Sequence, residues 1–339
     1  MVASMEDTTR PRIFSGIKPT GHVHLGNYLG ALKHWEREQH NADAFYCVVD
    51  LHAITVDHDP AELRAATQEL SIVLLAVGLD PAVCTLFVQS HRPEHAELSW
   101  LMECTASYGE MQRMIQFKEK SEEEDFVSAA LFTYPVLMAG DILLYRTDIV
   151  PIGEDQRQHL ELARDIAQRF NTRYGETFVV PEGVFPETGG RVMNLQEPAV
   201  KMSKSRGAES GTVLMLDPPD TIRKKVKSAV TDSGTDVRYD PEQKPGVSNL
   251  IELMTVVTGD SIPDVEARYD GAGYGRFKED VAEAVVAVLE PIRQRYEEIR
   301  SDVSELDRLL AVGAEKAREA SAPTLELMYE RMGFARRGL

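Results

Sequence analysis

Two segments far apart in the chain carry residue types suited to a chain of phosphates. Lys201-Met202-Ser203-Lys204-Ser205 sets two lysines three positions apart among small hydroxyl residues. Such a loop can bring two ammonium groups onto phosphate oxygens, with serine hydroxyls and backbone N–H groups as neutral donors. Taken alone, it reads as a solvated surface loop. The second segment, Pro19-Thr20-Gly21-His22-Val23-His24-Leu25-Gly26-Asn27, follows a short apolar stretch and opens a helix. A helix start presents unpaired N–H groups and a positive dipole end, which suit an anion. Gly21 and Gly26 admit close approach of a ligand to the backbone, and His24 and Asn27 can donate hydrogen bonds. Taken alone, this segment is a turn with a helix cap.

A third feature is a carboxylate inside an apolar run. Phe126 to Tyr145 contains a single charged residue, Asp141. Tyr134, Met138, Asp141 and Tyr145 follow helical spacings of four, three and four, so they can share a face. Pro135 disturbs the helix between the first two, which makes that alignment approximate. An ionised carboxylate matches a ligand N–H that donates and never accepts. The structural alternative is a core aspartate that caps a helix or pairs with an arginine. The run is long enough to cross a bilayer, but Pro135, Gly140, Asp141 and the preceding acidic stretch Glu122 to Asp125 predict a buried core helix instead.

The elements that must position these groups follow an α/β rhythm. Ile13-Phe14-Ser15, Ala44 to Val49 and Thr85 to Val88 read as strands. Between the last two, a helix after Pro60 carries Leu63, Ala66, Leu70, Val73, Leu74 and Val77 on one face, and Gly78 ends it. Glu94 to Tyr145 reads as a mostly helical insertion. A short strand at Thr147 to Ile152 resumes the rhythm, followed by a helix from Asp155 to about Tyr174 with Leu160, Ala163, Ile166, Ala167 and Phe170 inward. From Pro219 the pattern is helical, with Ile222, Val226, Ala229 and Val230 lining one helix and Val281, Val285, Val288 and Ile292 another. The order implies a parallel sheet with crossover helices, carried by residues 1–215, and an α-helical domain over 216–339. Gly271 to Gly275 mimics a phosphate loop, but no strand precedes it, so it reads as a loop before a helix. His91 and His95 stand four apart as in some zinc sites, yet Pro93 lies between them and no third ligand stands out.

Together the two phosphate-type segments are far more specific than either alone. His24-Leu25-Gly26-Asn27 and Lys201 to Ser205 resemble the HIGH and KMSKS signatures of class I aminoacyl-tRNA synthetases. Within that class the chain is similar to the bacterial tryptophanyl branch, from about Ile13 to Phe334. The resemblance rests on Ile13 to Ala31, Val49 to Thr55, Gln116 to Lys120, Asp141 to Tyr145, Pro151 to Leu162, Arg169 to Gly175, the lysine loop and Lys227 to Asp232. It implies a Rossmann-like catalytic domain and a reaction that joins L-tryptophan to ATP and then to tRNA(Trp). It further implies Mg²⁺ held chiefly by ATP oxygens, with no protein metal cluster. A homodimer joined through the helices of about 94–145, and anticodon binding by the helical C-terminal domain, complete the expectation.

The resemblance also implies roles for individual residues. Lys201 and Lys204 close over the leaving pyrophosphate, with His24 and Asn27 as further catalytic groups and Met202, Ser203 and Ser205 completing the loop's hold on ATP. Lys18, Pro19, Thr20, Gly26 and Asn27 hold the triphosphate and ribose from the other side. Gly153-Glu154-Asp155 contacts the ribose, with Gln156 nearby, and Val192 packs on adenine through its backbone. Asp141 accepts from the indole N–H, in a pocket that includes Tyr134, Met138, Phe14, Gly16, His52, Gln116 and Val150. Met138, Phe14 and Val150 are the walls that exclude tyrosine by shape. Two positions depart from the pattern: Lys18 stands where many relatives have glutamine, and Arg206-Gly207-Ala208 replaces the Asp-Pro that often follows the lysine loop. A tyrosyl enzyme, another adenylyl-transfer enzyme and a non-catalytic paralogue with an RNA-binding or regulatory role stay open at this point.

Composition sets outer bounds. The 339 residues are 43% hydrophobic, enough for a sizeable core in one or two domains. Cys47, Cys84 and Cys104 are few, odd in number and far apart, which argues against a disulfide framework and fits a reducing cytoplasm. The first ten residues are polar and charged, unlike a secretory signal. A net charge of -18 lowers the expectation of nucleic-acid binding, although net charge does not describe a local surface.

Overall fold

The computed structural model describes residues 10–115, 127–185, 192–203 and 207–335. Five parallel strands form one sheet in the order β3-β2-β1-β4-β5. They are β1 (Arg12–Ile17), β2 (Asp43–Val48), β3 (Thr85–Val88), β4 (Ile149–Pro151) and β5 (Glu182–Val184). The last was not foreseen from the sequence; its three residues, Glu182-Gly183-Val184, are too short and too polar to register as a strand on their own.

Side chains alternate across the strands, as the pleat requires. Ile13, Ala44, Tyr46, Val48 and Leu86 enter a core on one face of the sheet, while Phe14, Phe45, Cys47 and Phe87 enter a second core on the other. The first core is completed by α3 (Pro60–Val77) and by α8 (Pro219–Lys227), α9 (Pro245–Thr258) and α11 (Gly273–Arg300). The second is completed by α4 (Glu94–Glu103), α6 (Ala129–Leu143) and α7 (Arg157–Tyr174). Between these elements lie α1 (Leu25–Asn27), which continues through a π-helical turn at Tyr28–Leu32 into α2 (Lys33–Glu38), and the short α5 (Tyr108–Gln112) and α10 (Ile262–Arg268).

The final helix, α12 (Val303–Met332), lies against the sheet: a Cβ on Gly313 would come within 1.8 Å of the Leu86 carbonyl oxygen. Only glycine permits that approach, and it seats Ala314, Ala317, Leu325 and Met328 in the second core.

Local signals explain most helix ends. Asp59 caps α3 by accepting from the N–H groups of Ala61 and Glu62, and Gly78 closes it at φ 123°. The structure departs from the sequence reading in three places. The predicted single apolar face of α3 holds only for its first half; from Leu70 to Ala76 every residue is buried, because the helix dives between the sheet and α11. Helix α8 stops at Lys227, so Ala229 is still buried but Val230 is 44% exposed rather than inward. And α6 runs unbroken through Pro135, so Tyr134 and Met138 do share one helix. Among the described residues, no helix is long and apolar enough to cross a membrane.

Candidate active site

The chain builds β1, moves outward through β2 and β3, then returns to the other side of β1 for β4 and β5. The strand order therefore reverses between β1 and β4, and a parallel sheet opens a crevice at its carboxyl edge at such a point. Two adjoining cavities occupy that crevice. The first, of about 410 Å³, is lined from β1 and its end by Phe14, Ser15, Gly16 and Lys18, and from β4 by Val150 to Gly153. Val49, His52 and Thr55 enter from the end of β2, and Tyr134, Met138, Asp141 and Ile142 from α6. The second, of about 710 Å³, shares Ala31, Trp35 and Pro151 to Gly153 with the first and adds Gly26, His34, Glu38, Glu154, Asp155, Val192 and Lys201.

The floor of the first cavity is the carboxylate of Asp141, 2% exposed. Gln89 donates from Nε2 to Oδ1 at 2.7 Å, and the orientation of that amide is set by its own Oε1, which accepts from Leu51 N–H at 3.0 Å. His95 Nδ1 also meets Oδ1, at 2.7 Å, and His52 Nε2 meets Oδ2 at 2.8 Å. Burial pushes this carboxyl upward, but hydrogen bonds from His52 and His95 and attraction to both rings outweigh it and hold it down at about 2. A carboxylate offers about four lone-pair sites. Three are filled from the protein, two on Oδ1 and one on Oδ2, and Oδ2 keeps one for the cavity. The walls around it are Phe14, Val150, Ile142 and Met138. Tyr134, whose hydroxyl is pushed up to about 12 by burial, stays protonated and meets His159 Nε2 at 2.9 Å.

The edge between the cavities is made from backbone. At Gly153 a Cβ would lie 2.7 Å from Asp155 Oδ1, so this glycine lets the aspartate fold back over the turn that precedes α7. Gly16 plays the same part in β1, where a Cβ would meet Val49 Cγ1 at 2.8 Å. The first signature segment pairs with the stretch that follows the lysine loop: Leu25 N–H donates to Val213 O at 2.8 Å, and Met215 N–H to Val23 O at 2.9 Å. Gly26 sits between the His24 ring and the Met202 side chain. Lys201 is exposed at the mouth of the second cavity, and the segment that carries it is held by an isolated bridge to Met193 and by Met202 N–H donating to Val192 O at 3.0 Å.

Most predicted residues thus converge. Phe14, Gly16, Lys18, His52, Tyr134, Met138, Asp141, Val150 and Gln156 line the first cavity; Gly26, Glu154, Asp155, Val192 and Lys201 line the second, and Gly153 both. Others are placed differently. His24 and Asn27 line neither cavity; His24 Nδ1 accepts from Asn27 N–H at 3.3 Å and Asn27 Oδ1 from His24 N–H at 3.2 Å, a reciprocal cap of α1. The side chain of Met202 is buried in the first core. Pro19, Thr20 and Ser203 also lie outside both linings. Gln116, Lys204 and Ser205 fall outside the described residues.

Sequence reasoning missed Gln89 and His95, the latter set aside as half of an incomplete zinc pair. It missed Glu38 and Trp35 too, which have no spacing signal that points to a ligand.

Comparison with known proteins decides among the adenylyl-transfer readings. Residues 5–290 match the family model of class I tRNA synthetases (W and Y). The chain belongs to this family. Similar curated relatives of this synthetase are tryptophan–tRNA ligase 1 of Streptomyces coelicolor, 55% identical over 95% of this chain and 97% of that one, and the tryptophan–tRNA ligase of Listeria monocytogenes, 52% identical over 96% and 98%. Among solved structures, the synthetase resembles the tryptophanyl-tRNA synthetase of Mycoplasma pneumoniae with a TM-score of 0.88 and 36% identity, over 96% of this chain and 99% of that one. It also resembles the Campylobacter jejuni enzyme complexed with ADP and tryptophan, with a TM-score of 0.84 and 34% identity, over 95% and 100%.

Proposed function

We propose that this chain activates L-tryptophan with ATP, releasing pyrophosphate, and transfers the tryptophanyl group to the 3′ end of tRNA(Trp). The observation that carries the proposal is Asp141: a buried carboxylate, held ionised, with one acceptor site left for a donor in an apolar cavity. Indole N–H donates and never accepts, so it matches that site. A ring without the donor leaves that buried acceptor site unfilled, and a site built to hydrogen-bond a substrate N–H rejects such a ring by up to about 10⁴ to 10⁵. Phenylalanine is excluded in that way, and Phe14, Met138 and Val150 exclude tyrosine by the shape of the walls.

The reaction asks mainly for positioning and charge. The tryptophan carboxylate attacks the α-phosphorus of ATP in line, and the pyrophosphate leaves. Lys18, on the first cavity, and Lys201, on the second, bracket the place where the two substrates meet, and Lys204 adds its charge from the same loop as Lys201. Glu154 and Asp155, beside Gly153, suit ribose hydroxyls. No group of three or more His, Cys, Asp and Glu side chains among the described residues could hold a metal ion. A Mg²⁺ bound mainly through ATP oxygens would neutralise phosphate charge.

Trp100, Tyr108, Ile115 and Val127 are exposed apolar residues of the helical stretch that runs from α4 to α6. They suit a homodimer interface, and Trp100→Glu should turn a dimer into a monomer in sedimentation velocity. The helices from α8 onward are the candidate anticodon-binding part, and the working compartment is the cytoplasm. Pyrophosphate exchange with each amino acid in turn tests the main reading: tryptophan alone should support it, and exchange with tyrosine instead would overturn it.

A further inference from the structure

Behind Asp141, away from the cavity, lies a second histidine that the proposed reaction does not touch. His95 is fully buried at the start of α4 and lines neither cavity. Its Nδ1 meets Asp141 Oδ1 at 2.7 Å and its Nε2 meets Tyr145 Oη at 2.7 Å. Tyr145 is itself fully buried, stacked on Phe14 at 5.6 Å and 10° and on Phe45 at 4.9 Å, with Phe87 edge-on at 5.7 Å. Burial raises its hydroxyl well above the ordinary range, so it remains an O–H.

The hydrogen-bond accounting fixes one proton. Asp141 is ionised and can only accept, so His95 Nδ1 carries a proton and donates to Oδ1, while Nε2 meets the Tyr145 hydroxyl. This fixes which carboxylate oxygen is free. Oδ1 receives His95 and Gln89 and has no site left, whereas Oδ2 receives His52 alone.

We infer that His95 is a positioning residue for amino-acid selection: with Tyr145 it saturates Oδ1 of Asp141 and so presents Oδ2 as the single open acceptor in the cavity. The inference rests on the reading of Asp141 as the indole acceptor. Tyr145 links the same chain to the pocket wall, since the ring it stacks on, Phe14, faces the cavity. The acceptor and the wall are thereby held by one side chain.

The test compares tryptophan with β-(benzothiophen-3-yl)alanine, a bicyclic isostere with sulfur in place of N–H, in pyrophosphate exchange. The readout is the ratio of their kcat/KM values, with the KM for ATP measured alongside. In His95→Leu the ratio should fall about tenfold or more, mostly through the KM for tryptophan, with the KM for ATP unchanged. Tyr145→Phe keeps the stacked rings and removes the hydroxyl that holds Nε2, and should lower the ratio about threefold. His95→Asn retains a donor at the position of Nδ1 and should recover the ratio to within about threefold of the unmodified protein.

Equal losses for both substrates in His95→Leu, or an unchanged ratio there, would overturn the inference. If His95→Leu does not fold, Tyr145→Phe decides it, and an unchanged ratio in that variant overturns it. Asp141→Ala separates the two layers: a ratio that survives in that variant removes the indole reading itself, whatever His95 does.

Discussion

The two cavities of the crevice are built on opposite principles. The first is closed by side chains from β1, β4 and α6, and its only charged floor group is fully engaged on one oxygen before any ligand arrives. The second is edged by glycines and by an exposed lysine on a segment held through backbone hydrogen bonds. Recognition of a neutral ring asks for burial, because a hydrogen bond discriminates only where water cannot replace the missing partner. Handling of a triphosphate asks for cations that can approach, bind and withdraw, and burial would cost them their charge. Rigid selection and accessible charge therefore sit side by side, joined at Pro151 to Gly153.

That contrast can be broken in order of expected effect. Asp141→Ala should lower kcat/KM for tryptophan by more than about a hundredfold in pyrophosphate exchange, with the KM for ATP nearly unchanged; a near-normal rate would refute the assignment of the first cavity. Lys201→Ala should lower kcat by roughly thirtyfold to a hundredfold while the KM for tryptophan stays within about twofold, since its charge is felt as pyrophosphate departs. A shared loss in both constants would mean that the lysine is part of the fold rather than of the chemistry.

A third test sharpens the claim of prior engagement. Asp141 is held at about 2, below its unfolded value near 4, so its contribution to stability is present above pH 4 and is lost as pH falls towards 2. The stability gap between the unmodified protein and Asp141→Asn should shrink by about 2 kcal/mol across that window, read by urea unfolding. The smallest effect belongs to the shared edge. Gly153→Ala would push the Asp155 carboxylate out of its place and should raise the KM for ATP several-fold, with little change in the KM for tryptophan. The reverse pattern would assign that edge to the first cavity.

How far the site could be read in advance differs residue by residue. Lys201, Gly26 and Gly153 lie in short segments whose chemistry is local, and the structure puts them where the segments suggested. Asp141 was legible as an anomaly, a lone charge in an apolar run. His24 and Asn27 were legible as polar groups at a helix start, but spacing does not show the reciprocal pair of hydrogen bonds that they make there. Met202 looked like part of a binding loop; that its side chain lies in the first core is announced by no local pattern.

The sequence by itself determined the α/β rhythm, the two phosphate-type segments and the lone carboxylate inside an apolar run, because each depends on side-chain chemistry within about twenty residues or fewer. Only the tertiary structure decided which strands are neighbours at the reversal between β1 and β4. The same is true of the partners of Asp141, which come from Gln89 and His95, 52 and 46 positions away in the chain. Periodicity reports which face of an element is buried; it does not report what lies opposite. A buried charge is selected by its partners, and partners are a property of packing.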